Sequence, residues 1–322
     1  MGDPIAQMYQ LRDEEGRERA RQHRAPARRF RASELADCKR RMYYRQSGYV
    51  PAPNTGFQMD WSIDGDVHHD IVRQVLLNAG VRIAGITQNE DGTTDEDQFV
   101  SYDFDVHGLT LPVSTRQDGW IYHDDYGWML MEIKSVGHWK YHYQMKAYEE
   151  GFEDAEGVRH PAGDGALLAY LYEKSPSYIY QVHAGMAIAK ARGEGRLPFD
   201  ASEPYTLDHA YLVIKDRSNC HIGYHSDTQG LLGGLVVPFC EDTWQKVLQR
   251  LYVTKQGLSK GVPPMPGYTA GSYQCKICPY KYACHDAIKR KQQGRKPYVV
   301  YPDPDVGLQF DDNDDDTDQA SS

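Results

Sequence analysis

The segment with the most chemistry in its letters is a pair of runs in this 322-residue chain. Gln117-Asp118-Gly119-Trp120-Ile121-Tyr122 and Gly127-Trp128-Met129-Leu130-Met131-Glu132-Ile133-Lys134 flank a turn at Asp124-Asp125-Tyr126. Both runs are aromatic and aliphatic, the pattern of two hairpin strands. A three-residue turn sets His123 opposite Gly127, and the same register sets Asp118 opposite Glu132. Cross-strand neighbours lie about 5 Å apart on one face, so the two carboxylates converge. Lys134 projects from that face too, two residues beyond Glu132. Converging carboxylates repel unless a cation sits between them. Two hard oxygen donors beside a lysine suit Mg²⁺ or Mn²⁺, an ion that activates water and stabilises charge on a phosphoryl oxygen. The lysine then orients or deprotonates that water, or neutralises the transition state. A cross-strand salt-bridge cluster would use the same letters, and the hairpin alone leaves both readings open. Gly65-Asp66-Val67-His68-His69-Asp70 offers a third ligand in either histidine.

A second constellation is Cys275-x₂-Cys278-x₅-Cys284, with Cys38 in Asp37-Cys38-Lys39-Arg40-Arg41-Met42-Tyr43-Tyr44 as its candidate fourth member. A Cys₄ zinc site normally draws on two close pairs. One distant cysteine with a tight triplet suits a cubane iron–sulfur cluster better. Such a cluster closes a loop of more than two hundred residues, a cross-link of about 4 to 5 kcal/mol in the entropic model. A structural staple is therefore its expected role. Cys220 and Cys240 are left as unassigned thiols.

Helices are expected over 11–24, 32–47 (capped by Ser33), 62–79, 139–152, 177–192 and about 239–257. In the third, Val67, Ile71, Val75 and Ala79 form the apolar stripe, and Gly80 closes the helix. Strands are expected from Gln98 to Lys134 and over 209–216, with loops at 153–166 and 193–206. No internal repeat is visible.

Composition is that of a globular protein, 40% hydrophobic and 25% charged, which excludes wholesale disorder and collagen-like fibres. No apolar run reaches the roughly 18 residues of a membrane span, and the N-terminus is polar rather than signal-like. With six cysteines, a reduced, cytoplasmic protein is expected. The formal charge of −10 argues by itself against an anionic partner, but its distribution reverses that. Residues 301–322 hold eight aspartates and no lysine or arginine, an expected disordered tail, whereas residues 11–45 and 276–296 each carry +6. Both basic stretches border the cysteines.

Taken in order, the Cys38 segment, the Gly65…His69 helix, Asp118-Gly119, Glu132-Ile133-Lys134 and the cysteine triplet resemble the RecB-like branch of the PD-(D/E)xK nucleases, specifically the Cas4-like iron–sulfur exonucleases. The resemblance covers about residues 30 to 290. It implies an α/β nuclease core, a central mixed sheet flanked by helices, over 61–258. A helical iron–sulfur annex would come from 30–60 and 259–296, between a basic arm (1–29) and the acidic tail (297–322). It implies that His69, Asp118, Glu132 and the Ile133 carbonyl hold Mg²⁺ or Mn²⁺ and that Lys134 assists the attacking water. Cys38, Cys275, Cys278 and Cys284 would hold a [4Fe-4S] cluster. The family pattern places His69 rather than His68 at the metal. Its glutamine helix matches Gln144-x₃-Tyr148 by letters, and Gln181 by its place between two strands. Gln181 is favoured, although Gly185 stands where the family has tyrosine. Thr115 likewise stands where the family often has glycine. The expected substrate is single-stranded DNA ends, with Arg40, Arg41, Tyr43 and Tyr44 as backbone and stacking contacts. Strand separation would need a helicase, recombinase or CRISPR-adaptation partner. A different class remains open, a DNA-end-binding or adaptor module without useful catalysis.

Overall fold

The computed structural model describes residues 7–8, 10–15, 18, 27–49, 51–52, 56–90, 93–96, 98–217, 224–225, 232–269 and 272–284. The acidic tail, Cys220 and parts of both basic stretches lie outside the described residues.

The chain is a mixed α/β fold. Its five-stranded sheet is built from β2 (Ile83–Ala84), β5 (Gly119–His123), β6 (Gly127–Val136), β7 (Tyr205–Asp216) and β8 (Leu235–Pro238), in the order β8-β7-β6-β5-β2. Only β6 and β7 run parallel; the other pairs are antiparallel. A three-stranded sheet joins β1 (Phe30–Arg31), β4 (Leu109–Gln117) and β3 (Gln98–Val106), with β4 in the middle. The expected hairpin register holds from His123↔Gly127 to Gly119↔Met131. The turn closes as expected, with the Tyr126 N–H donating to the His123 carbonyl at 3.2 Å.

Of the helices α1 (Lys39–Gln46), α2 (Gly56–Asn78), α3 (His138–Glu150), α4 (Asp164–Lys174), α5 (Pro176–Arg192) and α6 (Glu241–Lys260), α5 is the structural centre. Ile179, Val182 and Met186 join the core under the large sheet, while Ala184, Ala187 and Ile188 join the core shared with β1, β3, β4 and α6. A helix apolar on nearly every side is a buried one. Each large apolar side chain so buried contributes about 1.5–3 kcal/mol. Gly185 suits that burial, because a Cβ there would meet Leu130 Cδ2 at 2.5 Å and the leucine would have to shift. The absence of a side chain at Gly185 lets α5 lie directly on β6.

On the other face of the sheet, α2 packs Val72 and Leu76 against Ile121, Met131, Ile133 and Val213. This corrects the expected stripe: Val67, Ile71 and Val75 are exposed. The docking face is set by His69 and Arg73, both held at Asp118, and these polar anchors outrank the apolar periodicity. The expected helix over 32–47 is also two pieces, a 3-10 turn at Ala32–Glu34 and then α1, whose N-cap is Cys38 rather than Ser33. Arg250 of α6 takes the Leu35, Ala36 and Asp37 carbonyls, which holds them out of a helical ladder. Helix α4 was not anticipated, and the expected loop 153–166 contains a short hairpin, Phe152–Glu153 with Arg159–His160. Among the described residues no helix is long and apolar enough to cross a membrane.

Candidate active site

Strand alternation aims Leu130, Glu132 and Lys134 at α5, and Met131 and Ile133 at α2. Gly185 rests on Leu130, and one helical turn earlier Gln181 reaches Lys134. The Lys134 Nζ donates to Gln181 Oε1 at 3.0 Å and is ion-paired with Glu132 Oε1. Asp118 immediately precedes β5. Its Oδ2 accepts the Ile133 N–H at 2.7 Å, so Ile133, expected to lend a carbonyl, also fixes the aspartate through its amide. Asp118 Oδ1 lies 3.2 Å from His69 Nδ1 and 3.5 Å from Arg73 Nη2, while Arg73 Nε donates to the Asp118 carbonyl at 3.0 Å.

Asp118 and Glu132 are only 4% and 2% exposed, and their surroundings push them apart. Burial works to raise the Asp118 carboxyl, but His69, Lys134 and the Ile133 amide more than offset it and hold it below the usual carboxylate range. For Glu132, burial wins, reinforced by the Asp118 charge and opposed by Lys134, and its carboxyl is raised. Burial alone would lower Lys134, yet Glu132 and Asp118 raise it, so it is an ammonium at neutral pH. Two carboxyl groups with separated affinities for protons are a hallmark of functional sites.

The structure brings together His69, Asp118, Glu132, Ile133, Lys134 and Gln181. His68 points elsewhere, with Nε2 3.2 Å from Asp64 Oδ1 and Lys215 and Arg217 as cationic neighbours. Gln144 is fully buried on α3, its side chain without a hydrogen-bond partner among the described residues. Sequence reasoning missed Arg73; its one signal was a position four residues after His69, on the same helix face. It also missed Arg31, Phe99 and Arg116. Together with His69, Asp118 and Gln181, these line a polar cleft of about 480 Å³.

The four expected cluster ligands, Cys38, Cys275, Cys278 and Cys284, line a different cavity of about 270 Å³. All four are half-buried. The Gly267 N–H donates to Cys38 Sγ at 3.2 Å, and Arg40 Nη1 lies 3.5 Å from Cys284 Sγ. Of the expected nucleic-acid contacts, Arg40, Arg41 and Tyr44 line this same cavity. Arg40, Tyr43 and Tyr44 are buried; Arg40 Nε bonds the Pro264 carbonyl at 2.6 Å, and Tyr43 and Tyr44 pack with Tyr280. Buried rings present no face to a base, and of the four only Arg41, paired with Asp37 at 3.2 Å, reaches the surface. As the side chains stand, no set of three or more His, Cys, Asp or Glu among the described residues is gathered tightly enough to hold a metal ion. The donor types nonetheless suit the groups expected there: hard carboxylate oxygens for Mg²⁺ or Mn²⁺, and four thiols with N–H···S donors for an iron–sulfur cluster.

The chain matches no family model and no curated protein. Similar solved structures include SSO0001, at 14% identity and a TM-score of 0.38 over 87% of this chain and 95% of that one. They also include the alkaline exonuclease LHK-Exo from Laribacter hongkongensis, at 13% identity and a TM-score of 0.39 over 76% of this chain and 93% of that one. A structure of LHK-Exo in complex with dAMP is similar at 12% identity and a TM-score of 0.39, over 72% and 89%. These likenesses are too slight to carry an argument.

Proposed function

We propose that the chain is a divalent-cation-dependent deoxyribonuclease of the PD-(D/E)xK type, hydrolysing phosphodiester bonds at single-stranded DNA ends. One observation carries the reading: Lys134 is bonded to both Glu132 and Gln181, Asp118 is fixed on the intervening Ile133 amide, and Asp118 and Gln181 open onto a cleft with two arginines. A structural salt bridge would satisfy Glu132 and Lys134, but it needs neither Asp118 nor the cleft. Mg²⁺ or Mn²⁺, when bound, supplies an activated water and charge stabilisation at the phosphoryl oxygen. His69, Asp118 and Glu132 are the residues that would hold it. Lys134, held between Glu132 and Gln181, offers a positive charge for the developing phosphoryl oxyanion. Gln181 fixes the direction of that ammonium. Arg31 and Arg116 attract the substrate backbone.

The cysteine cavity fits a [4Fe-4S] cluster as a structural staple held by Cys38, Cys275, Cys278 and Cys284. The donor set is four thiols drawn from both ends of the fold, with no histidine among the lining residues.

The test is a time course on 5′- and 3′-labelled single- and double-stranded DNA with Mg²⁺ and Mn²⁺. Release of short products from single strands, abolished by EDTA, is expected. Stable binding with no turnover under any divalent ion would replace this reading with a DNA-end-binding module.

A further inference from the structure

Strand β3 breaks its own rule. From Val100 onward Val100, Tyr102 and Phe104 alternate toward the core, with Tyr102 left 38% exposed, while Ser101, Asp103 and Asp105 face away. By that alternation Phe99 belongs to the polar face, and it is 64% exposed. Its cross-strand partner is Arg116, and Ser101 pairs with Ser114, which in turn pairs with Arg31 of β1. Phe99, Arg116, Ser114 and Arg31 therefore share one sheet face, and that face is a wall of the cleft ending at Asp118, His69 and Gln181. Burial is the first cause that pulls Arg31 below its ordinary pKa, with Arg45 adding to it and Glu34 opposing it. Local rules broken without a packing reason concentrate at functional sites.

An exposed aromatic ring beside guanidinium groups has the two chemistries of a nucleotide opposite it, a π-face for a base and cations for phosphate. The cleft is small, about 480 Å³, within the range of pockets for a single small ligand and far from the span of a duplex. Base faces inside a duplex are already covered by their stacked neighbours. We infer that Phe99 is a base-stacking, specificity-determining residue for an unpaired nucleotide next to the scissile bond, with Arg31 and Arg116 on its flanking phosphates. This rests on the nuclease reading above and deepens it by naming what selects single strands.

The test is equilibrium binding by fluorescence anisotropy, with the full chain and no divalent cation. The probes are an oligothymidylate, an abasic strand of equal length and charge, and a blunt duplex. Phe99→Ala is expected to weaken oligothymidylate binding roughly 5- to 150-fold, the range for one lost stack. Its affinity for the abasic strand and the duplex should change less than about threefold, and Phe99→Trp should retain oligothymidylate binding. Wild-type affinity of Phe99→Ala for all three probes would overturn the assignment, as would an equal loss on all three. The readout needs no turnover, so the two readings fail separately. If the wild-type chain cleaves nothing while the base-dependent loss persists, hydrolysis fails and stacking stands. Normal cleavage with no Phe99 effect does the opposite.

Discussion

The carboxylate–lysine cluster and the cysteine cavity are built on opposite plans. Asp118, Glu132 and Lys134 come from one hairpin, and backbone register places them before any side chain makes a contact. The cavity closes across the chain: Gly267 meets Cys38 at a separation of 229 residues, and Arg40 meets Cys284 at 244. The first region holds charge in burial, a cost that a purely structural sheet would avoid. The second holds soft, half-buried thiols at a seam between the two ends of the fold. A site positioned by register can lose a side chain and keep its shape. A seam positioned by side chains loses stability with them.

The largest expected effect is on the first region. Glu132→Gln keeps the volume but leaves the buried Lys134 ammonium without its ion-pair partner, so cleavage should fall about 10²- to 10⁴-fold and stability should fall by about 3 kcal/mol. Initial rates and urea unfolding on the same preparation check this, and an unchanged rate would remove Glu132 from the chemistry. Cys278→Ser acts at the seam, lowering the melting temperature by about 10 °C if a cross-link of about 4 kcal/mol is lost, together with bound iron by elemental analysis. An iron-free wild type of unchanged stability would remove the staple.

Smaller effects probe how each region is supported. Arg73→Met should cost about 2 kcal/mol in urea unfolding, the scale of a charged hydrogen bond, because the Asp118 carbonyl loses its donor; no change would show the contact to be incidental. The smallest effect concerns His183, two residues beyond Gln181 on α5. Its Nε2 accepts the Cys240 N–H at 3.0 Å, so the Nδ1 proton is given to the Ile179 carbonyl at 2.8 Å. Burial lowers its pKa, with Lys190 adding and the Ile179 bond opposing. A folded-state pKa below the unfolded one, about 6.5, means that protonation favours unfolding. His183 therefore stabilises fully above that pH, and its contribution is lost as pH falls toward the folded value. Melting temperatures between pH 7 and 5 should fall more steeply for wild type than for His183→Gln, and parallel slopes would contradict the assignment.

What was legible in the sequence follows the same division. The hairpin register could be read because turn length fixes every pair downstream of it. Gln181 could be placed from strand–helix–strand order, and the structure puts it on Lys134. The errors lie where a distant partner overrides a local pattern. Nothing near residue 35 announces that Arg250 will claim three carbonyls, nor does the basic-aromatic run at 40–45 reveal that Tyr280 will bury its rings. The apolar stripe of α2 points one residue away from the docking face, because His69 and Arg73 meet Asp118. Phe99 falls in the strand pattern expected from Gln98 onward, and it acquires meaning only once β4 sets Arg116 beside it.

The central claim is that the Asp118–Glu132–Lys134 group hydrolyses DNA. Its most direct test is Asp118→Asn, which preserves an acceptor for the Ile133 amide and removes the charge, assayed on end-labelled single-stranded DNA with Mn²⁺ beside wild type. The predicted result is Mn²⁺-dependent degradation by wild type and a loss of about 10²-fold or more in the variant, with unchanged circular dichroism. Equal cleavage by the two proteins would contradict the account.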